Sequence, residues 1–421
     1  MAYTSRSSTQ KAKPTRAPKS SNASKSSKPT RRTRLRSASS ASRDLGITRR
    51  KNQANTSAKV RYALIGLGHI AQVAALPGIL NARHSELRAL VSGDPKKRAI
   101  LKKRHGIAYT YSYEQIDDCL ANPEIDAVYI ALPNDLHYEY VIRAAEAGKH
   151  VLCEKPLAMN AREAEEMIDA CAHYGVKLMT AYRLHYEPAT LETLEKVKQG
   201  DIGEVRYLTS SFSYQITDPD NIRLKVDRGG GPVYDIGIYC LNAARMFMQD
   251  EPTEVSALLA RSLDPRFDEV EETAAITLRF PRGRLASFVV SFGADEASRL
   301  EIVGTQGRIV LEPAFEYASG LKRTVTHGES ARAKEYPKLD QFGGEIEAFS
   351  QSILHDLTPE ASGEEGLADL RVIDAIFEAS DTGRTVRLPA FRRRARPSLD
   401  QAKRKQGVDE PRLVRVSSPH D

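Results

Sequence analysis

Lys155, Asp235 and Tyr239 are the residues of this 421-residue chain whose types and settings suit chemistry at an alcohol carbon. A tyrosine at its ordinary pKa of about 10 is a poor base near neutrality. An ammonium beside it favours phenolate over phenol and makes it able to take a hydroxyl proton. A carboxylate close by would orient the ammonium or a hydroxylated substrate. Taken singly, each residue also has a plainer reading. Lys155 can be a strand-end lysine paired with an acid, Asp235 a first-turn acid favoured by the helix dipole, and Tyr239 a core aromatic.

The elements that would position these groups come from separate parts of the chain. Val151, Leu152 and Cys153 read as the end of a buried strand, from which Glu154-Lys155-Pro156 leaves the sheet. In an open parallel sheet that carboxyl edge is where ligands bind. Far downstream, Arg228-Gly229-Gly230-Gly231 reads as a mobile loop, and Pro232 suits the first turn of a helix. Asp235 and Tyr239, four residues apart, then share one helical face. Gly237 inside that helix costs roughly 1 kcal/mol relative to alanine, so a ring or a sugar is expected to approach it.

A nucleotide loop precedes both stretches. Val60 to Ile65 is an apolar strand, followed by Gly66-Leu67-Gly68-His69-Ile70-Ala71 at a helix start. Gly66 permits the tight turn, Gly68 allows close approach of a pyrophosphate, and Ala71 lets helix and strand pack. Exposed amides and the helix dipole favour phosphate there. The second strand, Leu87 to Val91, ends in Ser92, where an NAD enzyme usually carries an acid. Lys96, Lys97 and Arg98 follow, either as a solvated helix face or as cations for a ribose 2′-phosphate, while Asp94 reads as an N-cap ahead of Pro95. NADP is therefore favoured over NAD. Ile125 to Leu132 is a continuous apolar strand, with Asn134 and His137 beyond it; Asp135 reads as the cap of the next helix. Asn134 and His137 are either ligand contacts or ordinary turn and surface residues. Asn160 with Glu163 reads as a capping box.

Alternation of strand and helix to Ala181 implies a parallel, doubly wound sheet. After it the pattern changes to long alternating strands. Ala274, Ile276, Leu278 and Phe280 face one way, and Pro281-Arg282-Gly283 turns the chain. Thr273, Ala275, Thr277, Ser287 and Ser291 are expected on the other, open face, flat enough to pair with a second subunit. The expected organisation is a disordered basic segment over 1–58, a Rossmann domain over 59–181, an α+β domain with a large, mostly antiparallel sheet over 182–389, and a basic tail over 390–421.

Charge follows this division. Residues 1–59 hold 16 Lys/Arg and one acid, residues 390–421 hold 9 and 4, and the body between them holds 37 and 50. The net charge of +7 thus comes from the ends, and nucleic-acid binding by the body is not indicated. The N-terminal segment is either plain disorder or an arm for nucleic acid, anionic lipid or a neighbouring subunit. Cys119, Cys153, Cys171 and Cys240 fit no zinc spacing and read as reduced thiols of a cytoplasmic protein. No metal is expected, and no apolar run is long enough to span a membrane.

Together, the GxGxxA loop, Glu154-Lys155-Pro156 and Asp235-x-Gly-x-Tyr239 resemble the Gfo/Idh/MocA oxidoreductase family over about residues 60–389. Ala131-Leu132-Pro133-Asn134, His150 to Pro156, Gly229 to Asn242 and Gly363 to Asp369 resemble its glucose–fructose oxidoreductase and aldose dehydrogenase branch. The resemblance implies NADP chemistry on a sugar or polyol, and a homodimer or homotetramer built through the open sheet. It matches Lys155 and Asp235 to the motif lysine and aspartate, Tyr239 to the position of the common histidine, and Ser92 and Lys97 to the 2′-phosphate. Expected cofactor contacts are Gly66, Gly68, His69, Ile70, Ser92, Lys97, Leu132, Asn134, His137, Glu154 and Lys155. Tyr182 and Arg183, just after the last Rossmann strand, are expected to line the substrate cleft. Rival readings are a dihydrodiol-type or imine-linked reductase of the same fold and a non-catalytic dinucleotide sensor.

Overall fold

The computed structural model describes residues 58–421, apart from 394, 410, 417 and 419–421. The expectation for residues 1–57 lies outside that range. The first sheet has six parallel strands: β1 (Val60–Ile65), β2 (Ser85–Val91), β3 (Tyr109–Tyr111), β4 (Ala127–Ile130), β5 (His150–Cys153) and β6 (Leu178–Thr180). Their order is β3-β2-β1-β4-β5-β6. β4 and the apolar part of β5 are fully buried, as strands covered on both faces must be. The covering helices are α1 (Leu76–Asn81), α2 (Pro95–His105), α3 (Ile116–Ala121), α4 (His137–Glu146) and α5 (Ala161–His173).

Strand order reverses between β1 and β4, and the two carboxyl ends meet there. Gly66 has φ +92°, and a Cβ on it would lie 2.2 Å from the Ala131 carbonyl oxygen. The crossing point therefore requires glycine in both conformation and space. Asp94 caps α2 as expected, accepting from the amides of Lys96 and Lys97. The Asn160 side chain caps α5, but Glu163 returns its bond to the Met159 amide. Asp135 is not the cap expected of it; its carboxylate accepts from Arg228 across the cleft, at 2.7 Å.

α6 (Pro188–Lys198) leads into the second sheet. Its strands are β7 (Val205–Ser213), β8 (Glu254–Ala260), β9 (Thr273–Arg279), β10 (Leu285–Ser291), β11 (Ala297–Gly304), β12 (Arg308–Leu311), β13 (Leu321–His327), β14 (Ser330–Tyr336) and β15 (Val386–Arg387). They lie in the order β14-β13-β12-β11-β7-β10-β9-β8-β15, antiparallel except where β10 meets β7. The helices are α7 (Ile238–Met248), α8 (Gln341–Leu354) and α9 (Gly363–Thr382). α8 packs on α1 and α9 on α5, so the last helices return to the first sheet.

Ala274, Ile276, Leu278 and Phe280 are buried on the inner face. The other face is open but less uniformly small than expected: Tyr207, Leu258, Leu285 and Val289 are exposed on it. Ser291, expected there, is buried and shares a hydrogen bond with Thr273. The described residues within 390–416, expected as part of a basic tail, pack along the body. Arg393 pairs with Glu360 at 3.0 Å and also with Glu365, and Arg396 pairs with Glu251 at 2.7 Å. Among the described residues no helix is long and apolar enough to cross a membrane. All four cysteines are buried and unpaired.

Candidate active site

The carboxyl edge of the first sheet presents its loops in spatial order. Ser92 stands beyond β2, Gly66 to Ile70 beyond β1, Ala131 to Asn134 beyond β4, Glu154 and Lys155 beyond β5, and Ala181 and Arg183 beyond β6. All of them line one cavity of about 1060 Å³. The opposite wall comes from the second sheet and its loops, with Phe212, Tyr214, Arg223, Asp235, Tyr239, Phe315 and Tyr317. Its lining includes Ser92 and Lys97 after β2 as well as Tyr239 of α7. It therefore suits a dinucleotide lying across the switch point. Nothing lies within 4 Å of where a Gly68 Cβ would be, so the backbone there is bare toward open space, as a pyrophosphate cradle must be. The residues present thus fit a nicotinamide dinucleotide.

In this cavity the three groups that the sequence singles out come together. The Lys155 ammonium donates to the Asp235 carboxylate at 2.9 Å and to its main-chain carbonyl at 2.8 Å. The same nitrogen lies 4.9 Å from the Tyr239 ring centre. Asp235 also accepts from Arg223 and from the Tyr214 hydroxyl, each at 2.8 Å. Burial by itself would raise the Asp235 carboxyl, but Lys155 and Arg223 outweigh it and hold the acid well below the usual carboxylate range. Burial likewise would lower the lysine; Asp235, Tyr239 and Glu154 facing it keep the ammonium above its ordinary value. Asp235 is therefore a fixed anion that aims Lys155, and a weak base.

Asp235 sits on a π-helical turn, Val233–Gly237, that runs into α7. Its amide bonds the carbonyl of Gly231, which has φ +102°. The neighbours of Gly237 are the Pro232 carbonyl and Val290 of β10, so sheet packing explains this glycine and the expected ligand contact does not. Behind Lys155, Tyr129 donates to Glu154 at 2.8 Å, and Glu345 lies 3.3 Å from the same phenol oxygen. Burial pushes both carboxyls up.

Most expected contacts line the cavity: Gly66, Gly68, His69, Ile70, Ser92, Lys97, Leu132, Asn134, Glu154 and Lys155. Two residues do not. His137 is fully buried, with its ring nitrogens on the carbonyls of Pro156 and Leu132, at 2.8 and 3.0 Å. It staples the loop after β4 to the one after β5. Tyr182 points into the core and donates to Asp369 at 2.5 Å. Arg183 does reach the cavity, its guanidinium 4.8 Å from the Tyr239 ring centre. Tyr239 is thus flanked by two cations, with Phe212 and Phe315 supporting the ring at 5.7 and 6.2 Å. Sequence reasoning missed Arg223, Tyr214 and Tyr317. Tyr214, just past the end of β7, was the one of these that a strand-end rule could have found.

A doubly wound sheet with a glycine-rich phosphate loop, joined to an open-faced sheet that closes a cavity over Lys155, defines a dinucleotide-binding oxidoreductase. Residues 60–182 match the oxidoreductase family with NAD-binding Rossmann fold, and residues 191–310 match the GFO/IDH/MocA C-terminal domain. The chain is 35% identical over 344 residues to D-xylose 1-dehydrogenase [NADP(+)] of Haloarcula marismortui, covering 80% of this chain and 96% of that protein. Among solved structures it is similar to aldose-aldose oxidoreductase from Caulobacter crescentus complexed with glycerol, with TM-score 0.75 and 39% identity, over 78% of this chain and all of that one. It is also similar to KijD10, a 3-ketoreductase from Actinomadura kijaniata in complex with NADP and TDP-benzene, with TM-score 0.70, 28% identity, and 76% and 98% coverage. The chain belongs to the Gfo/Idh/MocA oxidoreductase family.

Proposed function

We propose that this protein is an NADP-dependent oxidoreductase that oxidises a hydroxyl of an aldose, or runs the reverse reaction. The observation that carries this is the meeting of Lys155 and Tyr239, 4.9 Å apart from ammonium to ring centre, in the one cavity that also contains the nucleotide loop. The similarity to an NADP-dependent xylose dehydrogenase and an aldose-aldose oxidoreductase supports the substrate class. Ser92 in place of an acid at the β2 tip, with Lys97 beside it, supports NADP over NAD. When bound, NADP supplies the nicotinamide that exchanges hydride with the sugar carbon.

The chain's own groups do the rest. Tyr239 takes the proton of the reacting hydroxyl, with the Lys155 ammonium beside its ring. Asp235 keeps Lys155 charged and aimed. Arg183, also over the ring at 4.8 Å from its centre, adds a second cation. Gly66 to Ile70 hold the pyrophosphate through main-chain amides, and Asn134 and Glu154 border the nicotinamide end. The open face of the second sheet, with Tyr207, Leu258, Leu285 and Val289, is assigned to self-association into a dimer or tetramer. Four unpaired buried thiols accord with a reducing, cytoplasmic setting.

The test is a panel of aldoses, polyols and cyclic diols, each with NADP and with NAD, read by the absorbance of the reduced nicotinamide. Turnover of an aldose with NADP is expected. Turnover confined to diols, or to NAD, would overturn the assignment.

A further inference from the structure

The C-terminal segment reaches the nucleotide loop. From Arg393 and Arg396 on the second domain it runs past Tyr186, whose carbonyl accepts from the Lys403 amide at 3.0 Å. The Lys405 carbonyl then accepts from the Asp340 amide, and the Gln406 carbonyl from Asn81 of α1. Arg104 at the end of α2 donates to the Arg412 carbonyl at 2.6 Å. Two residues on, Val414 is buried against the Rossmann domain.

The contacts of Val414 and Arg415 are the specific ones. Gln72 is buried, and its side-chain amide takes both polar groups of Val414: it donates to the carbonyl at 3.0 Å and accepts from the amide at 2.8 Å. The same Gln72 nitrogen donates to the carbonyl of Leu67, inside the GxGxxA loop, at 2.9 Å. One amide therefore latches the strap to the phosphate loop. The next residue, Arg415, holds φ +53°, a conformation L side chains rarely adopt, and its guanidinium Nε lies 2.5 Å from the Asp94 carboxylate. Asp94 is two residues past Ser92, caps the helix that carries Lys97, and bonds Ser92 Oγ through its own amide. Arg415 is close enough to Lys97 for its charge to weigh on that ammonium, which burial already lowers.

This arrangement bears on nucleotide choice. An acid near the tip of β2 would accept the ribose hydroxyls of NAD and repel a 2′-phosphate. Asp94 lies two residues past that tip, and its two oxygens are committed to α2 amides and to Arg415. We propose that the strap is a clasp on the adenosine end of NADP, and that Arg415 is a specificity-determining residue. It neutralises Asp94 and adds a guanidinium to the Lys97 side of the 2′-phosphate site. The proposal rests on the NADP reading above and goes beyond it by assigning selectivity to a segment outside both domains.

Calorimetry on the full chain with 2′,5′-ADP and 5′-AMP separates the possibilities without turnover. The parent is expected to bind 2′,5′-ADP more tightly than 5′-AMP. Arg415→Ala should weaken 2′,5′-ADP about tenfold, the low end for a charge-assisted bond because the side chain is 57% exposed, and leave 5′-AMP within about twofold. Arg415→Lys should recover part of the loss, and the salt dependence of 2′,5′-ADP binding should be shallower in the alanine variant. If the parent does not distinguish the two nucleotides, the NADP reading fails and the clasp with it. If the parent distinguishes them and Arg415→Ala does so equally well, or weakens both alike, the clasp alone is wrong.

Discussion

Tyr239→Phe deletes one oxygen and leaves nearly everything else in place. The ring keeps Phe212 and Phe315 at 5.7 and 6.2 Å, and both cations, Lys155 and Arg183, still face it at 4.9 and 4.8 Å. Folding stability should therefore change by no more than about 1 kcal/mol. The rate should not be spared. Loss of a general acid–base group costs roughly a hundredfold to ten-thousandfold, or about 2.7–5.5 kcal/mol of barrier. The upper half of that span is expected, because the neighbouring carboxylate cannot deputise. Asp235 is committed to Lys155, Arg223 and Tyr214 and held well below the usual carboxylate range. The assay is kcat on the best aldose of the panel, with NADP affinity by calorimetry and the melting temperature alongside. A variant with parental affinity, a melting point within about 2 °C and a kcat down about a thousandfold fits the reasoning. One that turns over within about fivefold of the parent refutes the role of Tyr239, since a general base is worth far more than that.

Asp235→Asn leaves two buried cations without their shared anion. With these side chains only 12–28% exposed, a loss of about 3 kcal/mol is expected by chemical denaturation, together with lower turnover. Unchanged stability would show that the pair is not held as described. Glu271, whose carboxyl abuts Gly231 and accepts from the Val233 amide, is pushed up to about 7 by burial. A raised carboxyl favours the protonated folded form, so its contribution is complete below the unfolded value and is lost as pH rises through about 7. Glu271→Gln should thus stabilise the protein by about 1–3 kcal/mol at pH ~8 and by almost nothing near pH ~4.5. A gain independent of pH in thermal unfolding would contradict this.

Much of the fold could be read from local pattern, because β1, β4 and β5 are apolar runs followed within three residues by glycine or proline. Lys155 was legible because a strand end leaves few directions for the next residue. Asp235 and Tyr239 were legible because helical spacing survives a π-turn. What could not be read is side-chain direction where no period constrains it. His137 and Tyr182 sit three residues and one residue from cavity-lining neighbours yet point into protein, each satisfying a buried polar group. Arg223 sits in a single 3-10 turn, Ile222–Leu224, and finds Asp235 only through tertiary contact. The basic, proline-interrupted C-terminus has the composition of a tail. Its arginines nonetheless meet Glu251, Glu360 and Glu365 of an acidic body, and pairing over such distances has no local signature.

The central claim is that hydride passes between a sugar carbon and NADP in the cavity over Lys155 and Tyr239. Its most direct test supplies the protein with NADP and an aldose deuterated at every carbon, and weighs the reduced nucleotide by mass spectrometry. The account predicts one deuterium in the NADPH formed by the parent chain, and none above background with Lys155→Met. Unlabelled NADPH from the parent, or undiminished transfer by the lysine variant, would contradict it.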